Sequence, residues 1–448
     1  MIKTIGTFSS LTKEQKQAAS LLTVGSFLEY FDIMLYVHMA VLLNEIFFPK
    51  ADPHTAQLYT AFGFCSTYFF RPFGALLFGY LGDNIGRKPV IIITTFIMAI
   101  SCLIMAGLPT YEQIGVVAAW IVTICRIMQS LSCMGEGIGA EIYLTETTSP
   151  PIRYPLVSLI AVSGAIGTTV ALAIASLVTS FGLNWRIAFL VGAAVSLIGI
   201  VSRRTLREVP SFTSAKNKKI TVINKTKKNS RKLESNILHR EIINKKTALS
   251  LFFIQCCWPA CFYLAYIYSG TILKDTFSFT SEQVIHQNLI VSLGHLGGHL
   301  VLIYLCYKIY PLNILRIKLS IFSVFMLVFP YLLYNTNNSY QLLLLQLFIV
   351  IFAPTDCPAV GIFYIHFPVF KRFTYVSLMY ALARALMSII VSFGIVHLVD
   401  YFKYWGILIF MLPVICIYMV ALSHFWKLDN TQDTGLTISL QNRSKWGK

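Results

Sequence analysis

A chain of 448 residues with 56% apolar side chains, 14% aromatic and 12% charged residues, at a mean hydropathy of +0.68, is too greasy for soluble domains and reads as an integral membrane protein. Its formal charge of +17 would suit nucleic acid, but the basic residues are gathered into segments between apolar runs. That distribution marks one membrane surface and argues against a nucleic-acid partner.

Crossing ~30 Å of hydrocarbon takes about 20 apolar residues per helix. Twelve such stretches occur, near 20–43, 57–81, 90–108, 113–144, 156–180, 185–202, 247–272, 284–306, 313–333, 339–366, 373–399 and 405–426. The runs are continuous rather than alternating, which favours helices over a transmembrane barrel. The first 19 residues are polar and carry no small-residue cleavage site, so the first span is expected to be retained.

Between Arg203 and Lys246 there are 14 Lys/Arg against three Glu, a net +11 in one loop. This loop divides the spans six and six. The expected organisation is an N-terminal bundle (1–202), a basic linker (203–246), a C-terminal bundle (247–426) and a tail (427–448). The excess of Lys and Arg predicts that linker and both termini are cytoplasmic in a multi-pass protein of the cell inner membrane, and a monomer is expected. All ten cysteines fall in apolar runs without the paired spacing of a zinc site, so neither metal nor cofactor is expected.

An ionisable residue at the bilayer centre costs roughly 2.5 to 3.5 kcal/mol and so needs a pairing or a function. In the first span Glu29 and Asp32 are three apart on one helix face, at a depth comparable to Arg71 in the second. Two carboxylates near one guanidinium leave one to bind and release a proton; a purely structural ion pair is the alternative. Arg126 lies at mid-span in the fourth stretch and Glu136 further along it. In the second half, Asp356 and Arg384 fall at similar depths in the tenth and eleventh spans, so a salt bridge between them is expected. His295 and His299 have zinc-like spacing but no third ligand, and packing beside Gly294, Gly297 and Gly298 is the preferred reading. The seventh span presents Gln255, Trp258, Tyr263, Tyr266 and Tyr268. Such aromatic faces either anchor a helix or hold a cationic ligand. No nucleophile and base pair suggests an enzyme.

Several stretches together resemble the major facilitator superfamily, and within it the metabolite:proton symporter family. They are "FLEYFDIMLY" at 27–36, "RPFGALLFGYLGDNIGRK" at 71–88, "RIMQSLSCMGEGIGAEIYLTE" at 126–146 followed by "PIRY", "NWRIAFL" at 184–190, and "FPVFKRFTYVSLMYALA" at 367–383. The resemblance implies an all-α fold of twelve transmembrane helices in two six-helix bundles, with helices 1, 4, 7 and 10 around a cavity. It implies proton coupling through Glu29 and Asp32. It also implies a substrate cavity holding Arg71, Arg126, Glu136, Trp258, Tyr263, Asp356 and Arg384, with Arg126 a candidate partner for a substrate carboxylate or for Asp32. A cytoplasmic gate would comprise Gly82, Asp83, Gly86, Arg87, Lys88, Glu146, Arg153 and Arg372, with Arg87 pairing to Glu146 and Asp83 facing the start of helix 11 near Phe373. The second half departs from the family: "YLCYKIYPLNI" at 304–314 stands where a second gate signature belongs, and Arg384 and Met387 replace small residues. The expected function is proton-coupled symport of a small polar solute, in the proline/betaine transporter manner. A small-carboxylate symporter or a non-translocating sensor is the alternative.

Overall fold

The computed structural model describes residues 11–47, 68–181, 184–203 and 243–445. The first half comprises α1 (Lys13–Phe47), α2 (Arg71–Asn84), α3 (Arg87–Gly107), α4 (Val116–Thr147), α5 (Arg153–Phe181) and α6 (Arg186–Arg203). The second comprises α7 (Lys245–Phe277), α8 (Ser281–Cys306), α9 (Pro311–Tyr334), α10 (Ser339–Phe352), α11 (Val369–Phe402) and α12 (Trp405–Lys445). Most of the basic linker, residues 204–242, lies outside the described residues. Eight of the described helices are long and apolar enough to cross a membrane. Large apolar side chains such as Phe96, Trp120, Val324 and Phe393 are exposed on the outer surface. Hydrocarbon, unlike water, tolerates that surface, and helices satisfy their own backbone groups within it.

Local chemistry sets the helix ends. Gly86, at φ 129, makes the break between α2 and α3, a conformation costly for any residue with a Cβ. α8 starts with a capping box in which Thr280 Oγ1 accepts from the Gln283 amide at 3.3 Å and Gln283 Oε1 accepts from the Thr280 amide at 2.9 Å. Pro311 opens α9 where its missing N–H costs nothing.

Two interior irregularities shape the middle of the molecule. Within α7, residues Tyr263–Tyr268 form a π-helical turn just after Pro259, as a lost backbone donor encourages. The tenth span is not one helix. α10 ends at Phe352, residues 353–359 are irregular, and a short helix follows at Val360–Ile365. Pro354 and Pro358 account for the break: each lacks an amide donor and pushes its preceding residue out of the α region. The expected position of Asp356 along a continuous helix is therefore corrected: it sits in the break.

The halves meet along two seams, α2 against α11 and α5 against α8. These pairs correspond under a six-helix shift, as two repeats related by a pseudo-twofold axis would place them. Within the first half α1 lies on α5 so closely that a Cβ on Gly167 would come 2.2 Å from Phe27 O. Small residues permit such backbone approach in membranes, where dispersion rather than water expulsion holds helices together.

Candidate functional site

α1 carries its two carboxylates about 60° apart around the helix, since three residues turn it by about 300°. That offset sends them to different partners. Glu29 pairs with Arg71 Nη1 of α2 at 3.8 Å. Asp32 accepts from Arg126 Nη1 of α4 at 2.9 Å and from Gln129 Nε2 at 2.8 Å, and Arg126 also donates to Gln129 Oε1 at 2.9 Å. The expectation of two carboxylates around Arg71 is thus corrected: each has its own guanidinium. Asp32 is 3% exposed and Arg126 4%.

A chamber lies between the halves, with walls from α1, α4, α5, α7, α8, α11 and the α10 break. A second, smaller one adjoins it and reaches Tyr68, Arg71 and Tyr263. Tyr30, Trp258, Tyr380 and Arg384 border both. Of the anticipated cavity residues, Arg71, Trp258, Tyr263, Asp356 and Arg384 therefore do face this space. Arg126 and Glu136 do not. Arg126 is turned toward Asp32, and Glu136 is 1% exposed inside the first half. Its chain neighbour Gly137 meets Glu29 instead, a Cβ there falling 2.3 Å from Glu29 Oε2. Glu29 consequently lines the chamber while Asp32 is sealed from it.

On the second-half side, Asp356 Oδ2 accepts from Gln255 Nε2 at 2.8 Å. The anticipated Asp356–Arg384 salt bridge is not made among the described residues. Arg384 lies over the Tyr380 ring at 4.9 Å, and its buried Nε has no hydrogen-bond partner. Residues 353–359 leave the helical path, which carries Asp356 out of register with α11. His295 and His299 also turn to the chamber rather than packing among glycines, with His295 stacked on Trp258 at 4.9 Å.

Tyr266, one of the aromatic residues noted on the seventh span, also lines the chamber, and among the polar lining residues not anticipated there are Tyr30, Glu141 and Tyr380. Glu141 accepts from Tyr364 Oη at 2.8 Å. A carboxylate deep in the fourth span was the available signal for Glu141. Tyr30 and Tyr380 gave none, because aromatic residues are as common in membrane-helix packing as in binding sites.

At the α2–α3 end a polar network joins the two halves. Asp83 accepts from the Phe373 amide at 3.1 Å, the Thr374 amide at 2.9 Å and Thr374 Oγ1 at 2.7 Å. Arg87 donates to Gly82 O at 2.7 Å, to Val369 O at 2.7 Å and to both Glu146 oxygens at 3.2 Å. Arg372 donates to Glu146 Oε1 at 2.7 Å. Close approach depends on glycine: a Cβ on Gly82 would lie 2.0 Å from Phe373 Cδ1, and one on Gly79 2.7 Å from Thr374 Cα. Arg153 donates to Thr148 O from Nε at 2.8 Å, and its side chain supports the backbone of Gly361. Lys88 follows Arg87 as a partly buried residue of the first turn of α3.

The sequence profile of the Major Facilitator Superfamily matches residues 22–392. This chain belongs to the major facilitator superfamily. Among curated superfamily relatives, the proline/betaine transporter of Escherichia coli K12 is 32% identical over 204 residues, covering 44% of this chain and 41% of that protein. The glycine betaine/proline/ectoine/pipecolic acid transporter OusA of Dickeya dadantii is 31% identical over the same length and the same shares. The chain thus matches less than half the length of these relatives. The proton:xylose symporter XylE, bound to 6-bromo-6-deoxy-D-glucose, superposes with a TM-score of 0.75 at 18% identity, covering 92% of this chain and 95% of that one. At that identity the likeness speaks to the fold: an all-α integral membrane protein of twelve helices in two six-helix bundles.

Proposed function

We propose that this chain is a secondary transporter that carries a small polar solute together with protons by alternating access. The observation that carries the reading is a polar chamber between two helical halves, shut at one end by contacts that are themselves polar. Such contacts can part without exposing apolar surface, so the same chamber can open to either side as the halves rock. The halves are taken as 1–202 and 247–426, joined by a linker at 203–246. The charge asymmetry supports a cytoplasmic position for that linker, both termini and the closed end, in a monomeric inner-membrane protein.

Proton coupling is assigned to Glu29 rather than shared equally with Asp32. Glu29 faces the chamber and is held by one ion pair at 3.8 Å. Asp32 is fixed by hydrogen bonds from two residues and lies off the chamber wall. A carboxylate that must exchange its proton with the chamber needs access and a loose hold, and Glu29 has both. Asp32 and Arg126 then act in tying α1 to α4.

The solute class proposed is a zwitterionic osmolyte, a reading supported by the names of the curated relatives and by opposite charges in the chamber. Counterflow of labelled proline, betaine and dicarboxylates in proteoliposomes, repeated with an inward proton gradient, tests it. Counterflow of a zwitterion with uphill uptake only under the gradient is the expected result. Binding without counterflow of any solute would instead identify a sensor.

A further inference from the structure

Glu141, Asp356 and Arg384 all face the larger chamber, and among the described residues none makes an ion pair. Among the described residues the buried Nε of Arg384 has no hydrogen-bond partner, and its guanidinium lies over the Tyr380 ring. Arg384 is 8% exposed. A guanidinium and two carboxylates in one low-dielectric space attract strongly, yet here three separate elements (α4, the α10 break and α11) hold them apart. With Glu29 engaged by Arg71 at 3.8 Å, the chamber presents charge of both signs from Glu141, Asp356 and Arg384, and its complement is a ligand with two opposite charges. A simple anion would bring its charge toward Glu141 and Asp356, and a simple cation would face Arg384.

The acidic end also specifies the kind of cation. Glu141 Oε2 is engaged by Tyr364 and Asp356 Oδ2 by Gln255. Their other oxygens, Oε1 and Oδ1, have acceptor capacity left, and carboxylate oxygens are satisfied by N–H donors, which a fully methylated ammonium lacks. The buried Tyr266 hydroxyl, on the same chamber wall, has no hydrogen-bond partner among the described residues and adds a further polar group. His295 stacks on one face of the Trp258 indole at 4.9 Å and 13°, so that face is not open to a quaternary ammonium.

We propose, resting on the transporter reading above, that this chamber binds a zwitterion whose ammonium retains N–H groups. Arg384 holds the anionic end, and Glu141 with Asp356 holds the N–H end. The site thereby separates amino acids from their N-permethylated counterparts, and Arg384 is the residue that gives this second half its anion receptor.

The test is calorimetric titration of the purified full-length chain with each of the twenty protein amino acids. The best binder is then compared with its N-trimethyl, decarboxylated and deaminated analogues. At least one amino acid binds, and its N-trimethyl analogue binds at least about tenfold more weakly, as expected when charge-assisted hydrogen bonds are lost. Arg384→Gln weakens the amino acid about tenfold or more and leaves the decarboxylated amine unweakened, while Arg384→Lys recovers much of the loss. Glu141→Gln with Asp356→Asn reverses that preference, favouring the deaminated acid. Unliganded melting temperatures equal to wild type show that the variants are folded. Equal or tighter binding of the N-trimethyl analogue, no binding of any amino acid, or an inert Arg384→Gln would overturn the proposal. Dicarboxylate counterflow without amino-acid binding would overturn it while leaving the transporter reading standing. Tight amino-acid binding without any counterflow would support this site and sink transport.

Discussion

Asp83 and Phe373, 290 positions apart in sequence, are joined by a hydrogen bond from the Phe373 amide to Asp83 Oδ1 at 3.1 Å. The same carboxylate takes the Thr374 amide and hydroxyl, so one side chain at the end of α2 engages three donors of α11. Negative charge near the start of a helix is favoured by its dipole by about 0.3 to 1 kcal/mol, more when partly buried. Because α2 belongs to one half and α11 to the other, under the proposed rocking mechanism this energy would stabilise the conformation in which that end is shut.

Asp83→Asn weakens the closure without disturbing insertion. The neutral amide accepts fewer and weaker hydrogen bonds, so the population moves toward opening at the α2–α3 end by roughly fivefold per kcal/mol lost. Cysteine accessibility measured from each side of the membrane reports the ratio. An unchanged ratio with normal transport would show that these contacts do not control access.

Gly82→Ala acts on the same seam by volume. The new methyl would fall 2.0 Å from Phe373 Cδ1, and relieving such overpacking costs about 1 to 3 kcal/mol. The cost falls on the closed end alone, so accessibility shifts in the same direction as for Asp83→Asn although no charge has changed. Wild-type accessibility in Gly82→Ala would mean that α2 and α11 do not separate.

Glu29→Gln abolishes solute accumulation driven by a proton gradient while partly sparing solute exchange, which needs no net proton movement. Asp32→Asn chiefly lowers stability, given its two fixed hydrogen-bonding partners. Uptake and exchange measured side by side in proteoliposomes separate the two variants. Uphill accumulation at the wild-type level by Glu29→Gln would move the coupling site elsewhere.

Arg126→Ala leaves Asp32 as a buried carboxylate without its guanidinium, a change that typically costs about 3 to 5 kcal/mol. Thermal unfolding in detergent should show a clear loss, with partial recovery in the double variant Arg126→Ala/Asp32→Ala. Equal stability of Arg126→Ala and wild type would show that the 2.9 Å contact contributes nothing net.

A cysteine at Lys225, in the basic linker, should react with an impermeant reagent only from the cytoplasmic side. Labelling from outside would invert the proposed topology.

The sequence by itself determined the membrane class, the number of apolar spans and the helical nature of each. Those properties depend on composition and on runs of about 20 residues, which are local. It also signalled the seam at the α2–α3 turn, because glycines at 79, 82 and 86 around an aspartate have little reason to cluster unless another backbone comes close. Two local signals went unread: Pro354 and Pro358 were in plain view, yet the apolar run around them looked continuous. The sequence offered Asp32 either Arg71 or Arg126, and tertiary structure chose Arg126. Glu29 and Asp32 differ by about 60° around one helix, and whether that angle meets a chamber or a neighbouring helix depends on how α1 is seated against α2, α4 and α5. It also decided that Asp356 meets Gln255 and not Arg384. Pairing between charges on separate helices depends on rotation and depth of both, to within an ångström or two, and periodicity along a single chain segment carries neither.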